Sequence, residues 1–443
     1  MNANYIHGVN IAGYVNSEFG LGEGVRATIR AIEAASIPFV INNCTFNLHR
    51  KLDSSYKEFT DDNPYPINIV QVNVDLINIF IGHVRPDYFQ NRYNIGFWAW
   101  EMPDFPQEWK SAFNLFNEIW TYSSYCADAI AMASPIPVIK IMPSISLPQP
   151  SLSREVLGLP QDKFIFLLMF DFCSVFERKN PAATIEAFKQ VARSNEDVLL
   201  VIKFSNAEHF PEQRERLKAL VEGYPSIKII DGYLLRDQLN ALIYNCDCYV
   251  SLHRSEGFGL TIAEAMFYGK PVIATDYSAN TEYMNVGNSF PVKYELVTLA
   301  EDFLPYKKGN MWAEPDIEHA AYLMRYVFEN HNQAKQVGER AAREVTSRLN
   351  PHIIGSKIRS RLEYIMHSTD NFTTLSEPQQ AQARLTQLHS ELVRSLRQGL
   401  LTQSQLQNTQ AELDQSQAVI RSMESSKFWK LRTAWFRLKK AIK

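Results

Sequence analysis

Short apolar runs alternate with longer helical patterns along most of this 443-residue chain, as far as about residue 366. Each run is about one buried strand long, and the segments between runs have apolar residues at helical spacing. This alternation is typical of βαβ units, in which helices cover both faces of a parallel sheet. The sequence therefore predicts an α/β fold. The predicted strands are GVNIAGYV, PFVIN, INIVQV, NIGFWAW, EIWTYS and PVIKIM in the first half, and FIFLLMF, VLLVIKF, IKIID, CYVSL and PVIAT in the second.

A proline-rich segment divides this alternation into two halves of similar size. Residues 143–160 hold four prolines and no helical or strand periodicity, which is typical of a linker. We predict two doubly wound, Rossmann-like domains facing a cleft, formed by residues 1–148 and 149–350, with a return helix over 351–370. Ligands of such folds bind at the carboxyl ends of the strands.

The composition changes after about residue 371, where Gln, Ser and Leu become frequent and leucines recur at helical spacing. We predict a helical tail over residues 371–443. Its first part, 385–420, is a candidate for pairing with a second copy of the chain. The last part, 427–443, carries seven basic residues, no acid and an apolar face, which is typical of a helix that lies on an anionic membrane surface. The alternatives are a helix that packs on the core or one that only oligomerises.

The overall composition excludes several classes of protein. A formal net charge of −3 argues against a general nucleic-acid binder. The five cysteines are scattered without the spacing of a metal site, which favours reduced thiols. The N-terminus lacks a basic region before an apolar segment, and the chain has no apolar run near the ~20 residues of a membrane span. We therefore expect a cytoplasmic protein, peripheral at the inner face of the plasma membrane if the tail binds lipid.

The stretch HRSEGFGLTIAEAMFYGKPVIATD, residues 253–276, places Glu256 and Glu264 eight positions apart around a glycine-containing turn. CYVSL is the preceding strand and TIAEAMFYG the following helix, so the turn lies at the carboxyl end of a strand and at a helix N-terminus. Such an N-terminus favours an anion such as a phosphate. Glu264 lies far enough into the helix to reach vicinal sugar hydroxyls. The alternative is a solvated loop glutamate followed by a helix-surface glutamate.

This stretch is similar to the signature of retaining family 4 glycosyltransferases of the GT-B fold, and the resemblance extends over roughly residues 5–366. It implies transfer of a sugar from a UDP-, GDP- or similar nucleotide diphosphate sugar to an acceptor hydroxyl, with retained configuration and without a metal or other cofactor. Residues 1–148 would then form the acceptor side and 149–350 the nucleotide-sugar side. The resemblance places Glu264 on the ribose and Glu256 near the transferred sugar. The adjoining backbone that it assigns to substrate binding is Gly257, Phe258, Gly259, Leu260 and Thr261.

The resemblance also implies cations for the diphosphate. Arg178 and Lys179 match the basic loop after the first strand of the second domain, although an exposed basic helix start is the alternative. The arginine that many relatives carry a few residues earlier is missing from FDFCSV, and Lys203 either substitutes for it or is solvated. In the first domain, Gly22 of SEFGLGEG resembles the glycine loop that approaches the donor phosphates. A dinucleotide fingerprint is disfavoured, because no acidic residue ends the second strand.

The first domain departs from the family at one point. Many relatives have a histidine after the strand that here ends in Trp98, Trp100 and Glu101. Either Glu101 makes the polar contact to the sugar, or the aromatic residues form a sugar-binding wall. His83, at the end of an earlier predicted strand, is as consistent with a structural role as with a catalytic one. We predict a retaining glycosyltransferase of surface polysaccharide or glycolipid synthesis; the alternatives are a sugar-nucleotide epimerase and a non-catalytic scaffold.

Overall fold

The structure is a computed structural model that describes residues 8–47, 49–193 and 197–369. The predicted helical tail over 371–443, with its segments 385–420 and 427–443, lies outside the described residues. Within them the chain forms two six-stranded parallel sheets and one two-stranded antiparallel ribbon. Helices flank both large sheets, which confirms the predicted α/β architecture of two doubly wound domains facing a cleft. No helix in the described part of the chain is both long and apolar enough to cross a membrane.

The first sheet has the strand order β2-β1-β3-β4-β5-β6, and the six strands named above for the first half are all present. The strand predicted to end at His83 is instead a helix over Ile77–His83. The segment PQEWKSAFNLF forms a 3-10 helix over Gln107–Leu115. The elements of this half are β1 (Val9–Gly13), α1 (Gly20–Ala34), β2 (Phe39–Asn43), β3 (Ile67–Gln71), α2 (Ile77–His83), β4 (Tyr93–Trp98), β5 (Glu118–Thr121), α3 (Ser124–Ala131) and β6 (Val138–Lys140), with a further 3-10 helix at Val74–Leu76.

The second sheet has the strand order β12-β11-β10-β7-β8-β9. Its central strands β7 and β8 are buried along almost their whole length, which explains their continuous apolar sequence. The elements of this half are β7 (Phe164–Asp171), α4 (Phe176–Lys179), α5 (Pro181–Ala192), β8 (Val198–Ser205), α6 (Pro211–Val221), β9 (Ile227–Asp231), α7 (Arg236–Asn245), β10 (Cys248–Ser251), α8 (Leu260–Phe267), β11 (Val272–Thr275), β12 (Phe290–Val292), β13 (Tyr294–Thr298), β14 (Met311–Pro315), α9 (Ile317–Glu329), α10 (His331–Leu349) and α11 (Pro351–Thr369). Three 3-10 helices complete them, at Phe172–Ser174, Ala207–His209 and Ser278–Glu282.

The predicted glycine loop after β1 is wrong in one respect, because its glycines lie within the first five residues of α1. The helix begins at Gly20, directly after the extended residue Phe19. A Cβ atom at Gly22 would come within 2.2 Å of the carbonyl oxygen of Ser17. Gly22 therefore allows the helix to pack closely on the loop before it. Its neighbours Leu21 and Glu23 line the cleft, whereas Gly22 contacts the backbone behind them.

The last helix in the described part of the chain, α11, packs on α1 of the first domain. A Cβ atom at Gly355 would lie 2.2 Å from the carbonyl oxygen of Ala31, so the two helices are in very close contact. Arg361 of α11 forms an ion pair with the buried carboxylate of Glu118, and its Nε lies 3.2 Å from Glu118 Oε1. The helix thus completes the outer layer of the first sheet.

The sequence pattern did not indicate the ribbon of β13 and β14. It follows β12 directly, and its two strands pair in antiparallel register from Tyr294 opposite Pro315 to Thr298 opposite Met311. Strand β13 is mostly exposed, so it lacks the buried apolar run by which the other strands were recognised. The loop between the two strands, residues 299–310, reaches the cleft.

Candidate active site

The loop between β10 and α8 is fixed by its own hydrogen bonds. Gly259 precedes the helix with a φ of +82°, a conformation that residues with a side chain rarely adopt. The hydroxyl of Tyr283 donates to the carbonyl oxygens of Phe258 and Gly259, each at 2.8 Å. These contacts hold the first turn of α8 at the carboxyl end of the strand, where its free amides can meet an anion.

A cavity of about 460 Å³ lies between the two domains at this loop. Residues of both domains line it, so its shape depends on the spacing between the two sheets. Apart from Gly22, every predicted site residue is in its wall. Those residues are Glu101, Arg178, Lys179, Lys203, Glu256, Gly257, Phe258, Gly259, Leu260, Thr261 and Glu264.

Glu256 forms a buried ionic cluster with the two predicted cations. Its Oε1 lies 2.5 Å from Lys179 Nζ, and its Oε2 lies 3.3 Å from Arg178 Nη1. Burial alone would raise the pKa of Glu256, but the charges of Lys179 and Arg178 outweigh it and lower the pKa to about 2. Glu256 is therefore ionised at neutral pH. The alternative of a solvated loop glutamate does not fit its burial or its partners.

Arg178 has a buried hydrogen-bond donor that no described residue accepts. Its Nη1 donates to the carbonyl oxygen of Ser255 at 2.8 Å, while its buried Nε has no hydrogen-bond partner among the described residues. A buried donor without an acceptor costs about 1–3 kcal/mol. An anionic ligand that supplied an acceptor oxygen would remove this cost. The guanidinium is therefore suited to bind a phosphate in the cavity.

Glu264 is buried and is bound by a residue that the sequence did not indicate. Arg236, at the first position of α7, places Nη2 2.5 Å from Glu264 Oε1. The same nitrogen lies 3.9 Å from Glu23 Oε1 of α1, on the opposite side of the cleft. Glu23 is in turn paired with Arg30 at 2.7 Å and with Arg26 at 3.0 Å. A continuous row of alternating charges thus crosses the cleft beside the predicted ribose site.

Glu101 reaches the cavity from the end of the segment that follows β4. Its Oε1 lies 3.9 Å from Arg178 Nη2, and its Oε2 accepts a hydrogen bond of 3.0 Å from the hydroxyl of Tyr306. Trp100 also lines the cavity, whereas Trp98 is packed against Phe113 in the core. The structure therefore brings Glu101 and Trp100 to the site and leaves Trp98 in the core.

The position predicted for His83 is wrong. His83 is the last residue of the helix α2, rather than the end of a strand, and its side chain is exposed. Its ring stacks on Phe46 with ring centres 4.7 Å apart, and Nδ1 lies 2.8 Å from the carbonyl oxygen of Ile79. These contacts give His83 a structural role at the end of the helix.

Lys203 lies in the cavity wall rather than in solvent. Burial lowers the pKa of its ammonium to about 8, although the neighbouring carboxylate of Asp171 acts in the opposite direction. Asp171 accepts hydrogen bonds of 2.9 Å and 2.8 Å from Asn206 Nδ2. Lys203 is thus a further cation of the cavity wall, at the carboxyl end of β8.

Side chains that can ligate a metal approach one another at one point in the described part of the chain. The ligand atoms of His49, Asp171 and Cys173 all lie within 4.8 Å of one another. Protein groups already occupy this cluster, since Asn206 donates to both oxygens of Asp171 and also lies 3.1 Å from His49 Nδ1. Metal independence therefore stays a prediction from the resemblance.

Two doubly wound domains that face a cleft have the architecture of the GT-B fold. Residues 152–344 match the family described as glycosyl transferases group 1.

Solved structures with low sequence identity share the fold. Sucrose-phosphate synthase from Thermosynechococcus elongatus is 14% identical with a TM-score of 0.61, over 81% of this chain and 99% of that one. The Anabaena protein HepE in complex with UDP-glucose is 15% identical with a TM-score of 0.58, over 80% and 99%. The chain spans about half, 55%, of a Staphylococcus aureus TarM mutant in complex with fondaparinux, α-GlcNAc-glycerol and UDP; that match covers 67% of this chain at 13% identity with a TM-score of 0.50.

Proposed function

We propose that this protein is a retaining glycosyltransferase that moves a sugar from a nucleotide diphosphate sugar to an acceptor hydroxyl. The observation that carries the proposal is the buried cluster of Arg178, Lys179 and Glu256 beside the first turn of α8. Two cations and a helix N-terminus together favour a diphosphate. An ionised carboxylate in the same cluster would stabilise the positive charge that develops on a sugar carbon during transfer.

The proposed binding mode uses the cavity from end to end. Arg178 and Lys179 bind the diphosphate and stabilise the charge it gains as it leaves, and the backbone amides at the start of α8 add donors. Lys203 supplies a further cation. Glu264 accepts hydrogen bonds from the ribose hydroxyls, and this requires that Arg236 share or release the carboxylate oxygen it contacts at 2.5 Å. The nucleotide thus competes with an existing ion pair.

The transfer needs no side chain that acts as a base. The bond between the anomeric carbon and the diphosphate oxygen breaks, and the acceptor oxygen bonds to that carbon on the same face. The acceptor proton passes to an oxygen of the departing diphosphate. Glu101 contacts a hydroxyl of the transferred sugar, in place of the histidine that many relatives have. This chemistry requires no metal.

The base and sugar of the donor, and the acceptor, are proposed from a solved relative and from the predicted tail. The solved relative HepE contains UDP-glucose, which makes UDP sugars the first donors to test and leaves GDP sugars as the next. We place the acceptor in surface polysaccharide or glycolipid synthesis. A lipid-linked acceptor would suit a tail that binds the inner face of the plasma membrane through 427–443, which lies outside the described residues.

A donor screen tests the proposal. Purified protein is incubated with a panel of UDP and GDP sugars, and release of nucleotide diphosphate is measured with and without a chelator. We expect activity with at least one donor, insensitivity to the chelator, and retained anomeric configuration in the product by NMR. Lys179→Met should abolish the activity, while Lys218→Met, a change on an exposed face of α6, should not.

Each contrary result has a specific meaning. An epimerised nucleotide sugar would indicate the epimerase alternative, and inverted configuration would exclude the retaining mechanism. If the protein neither bound nor turned over any donor, the non-catalytic scaffold would be the remaining alternative. Loss of activity with the chelator would contradict metal independence.

A further inference from the structure

Tyr306 is a buried residue in a loop that the sequence reading did not connect with the site. It lies between β13 and β14 of the second domain, yet only 3% of its surface is exposed. Its hydroxyl donates to Oε2 of Glu101 in the first domain, at 3.0 Å. Together with Pro305 it lines the cavity. A loop of one domain thus contacts a proposed sugar-binding side chain of the other.

The position of Tyr306 is fixed by contacts around it. Phe303 and Tyr306 exchange two backbone hydrogen bonds of 2.8 Å, which close the loop on itself. Phe303 stacks on Trp312 of β14, with ring centres 5.3 Å apart. On the other side, the ring of Tyr306 packs on Trp100, with ring centres 5.6 Å apart. These contacts fix the loop and so position the hydroxyl of Tyr306 at Glu101.

This hydrogen bond controls which group Glu101 faces. Its other oxygen, Oε1, forms a longer ion pair of 3.9 Å with Arg178 Nη2, which is beyond hydrogen-bond distance. If the hydroxyl of Tyr306 were removed, the carboxylate could rotate into direct contact with the guanidinium. That contact would withdraw Oε1 from a sugar hydroxyl. The ring of Tyr306 also covers Arg178, with the guanidinium carbon 5.9 Å from the ring centre, which limits the other directions in which Arg178 can move.

We propose that Tyr306 is the positioning residue of the sugar site: its hydroxyl holds Glu101 Oε2, so that Oε1 stays available to a hydroxyl of the transferred sugar. The inference rests on the proposed glycosyl transfer and adds the loop between β13 and β14 to the determinants of sugar recognition. Tyr306 acts through Glu101, so its effect depends on the carboxylate being present.

A double-mutant cycle tests this dependence. Tyr306→Phe removes only the hydroxyl, and Glu101→Gln removes the charge. The two single variants, the double variant and wild type are compared for kcat and donor KM with UDP-glucose or the donor that the screen identifies. Calorimetry with UDP alone reports the nucleotide site. Tyr322→Phe, at an exposed position on α9, is the matched control.

We expect Tyr306→Phe to lower kcat roughly ten- to a hundred-fold, because a hydrogen bond to a charged group is lost. UDP affinity should change by less than about twofold, and the Tyr306→Phe effect should fall below about twofold in the Glu101→Gln background. If Tyr306→Phe fails to fold, Phe303→Leu, which loosens the loop that carries the Tyr306 hydroxyl, must lower kcat with unchanged UDP affinity, and this loss must fall below about twofold in the Glu101→Gln background.

Three results would overturn the inference. These are an unchanged kcat in Tyr306→Phe, an equal loss in both backgrounds, or a parallel loss of UDP affinity that indicates general damage to the cleft. Failure of the proposed function is separate, since it would appear as an absence of turnover in the wild-type protein with every donor.

Discussion

Replacing Glu256 by glutamine should destabilise the ligand-free protein and increase its response to nucleotide. The substitution keeps the shape of the side chain and removes the charge that partners Arg178 and Lys179. Two buried cations are then left without their carboxylate, and breaking a buried ion pair from one side is costly. In the proposed binding mode, UDP brings negative charge to the same cations. The ligand should therefore restore more stability to the variant than it adds to wild type.

The size of the effect follows from the pKa of Glu256. A carboxyl whose pKa falls from its ordinary value of 4.5 to about 2 gains roughly 3 kcal/mol for its ionised form, at about 1.4 kcal/mol for each pH unit. Because the pKa is lowered on folding, this stabilisation is present above pH ~4.5 and is lost as the pH falls towards ~2. We expect the free energy of unfolding of the variant to be roughly 3 kcal/mol lower than that of wild type at pH 7. The variant should also lack the part of the wild-type stability that is lost as the pH falls from ~4.5 towards ~2.

Denaturant unfolding at pH 7, with and without saturating UDP, measures both quantities. Glu314→Gln is the control, because it removes the carboxylate partner of Arg254 from an ion pair outside the cavity wall, so UDP should not offset its effect on stability. Turnover of the Glu256 variant should fall, although its UDP affinity is retained or increased. Equal stability of the variant and wild type, or a smaller response to UDP in the variant, would refute the assignment of Glu256 as the partner that nucleotide replaces.

Four further predictions concern separate parts of the chain. Glu264→Gln should weaken UDP binding roughly ten- to a hundred-fold by calorimetry, and unchanged affinity would remove the ribose role. Burial lowers the pKa of Lys203 to about 8, so UDP binding to the wild-type protein should weaken as the pH rises above this value. UDP binding to Lys203→Met should lack this pH dependence. If the variant has the same pH profile as wild type, Lys203 does not contact the nucleotide. Arg361→Met leaves the buried Glu118 without its ion pair and should lower the stability by about 3–5 kcal/mol in denaturant unfolding, so a loss below about 1 kcal/mol would contradict the role of this pair. Full-length protein should float with anionic liposomes and a chain truncated at residue 370 should not; identical behaviour would exclude membrane binding by the tail.

The parts of the fold that the sequence predicted are those set by local pattern. Parallel strands covered on both faces are continuous apolar runs, so β7 and β8 were recognisable without any knowledge of their neighbours. The turn between Glu256 and Glu264 was recognisable for a similar reason, because strand, glycine turn and helix follow one another directly. The cations Arg178 and Lys179 came from the resemblance, and the structure places both against Glu256.

The wrong predictions, for Gly22 and for His83, also have local physical causes. Glycine is a poor helix former, so the run around Gly22 favoured a loop, but close packing on Ser17 makes the small residue necessary inside the helix. The segment INIFIGH is short and apolar, and such a run does not distinguish a strand from a buried helix. His83 was therefore placed at the end of the wrong element.

The missed site residues depend on contacts between distant parts of the chain. Glu101 and Tyr306 are 205 positions apart, and the loop that carries Tyr306 has no motif that points to a cleft. Arg236 stands at the start of α7, and its contact with Glu23 exists only when the two domains face each other. The hydrophobic pattern around Tyr306 or Arg236 does not indicate either contact.

The close contact of α11 with α1 has a consequence for exchanging domains between related enzymes. Ile354, Ile358, Leu362 and Ile365 of α11 are all buried, so the first domain is built from two separate pieces of sequence. A chimera joined only within 143–160 would combine the N-terminal piece of one parent with the α11 of the other. The two crossings between the domains also lie side by side, since the amide of Ile145 donates to the carbonyl oxygen of Leu349 at 2.7 Å. A functional exchange of the second domain therefore needs two junctions, one at each crossing, so that α1 keeps the α11 of its own parent.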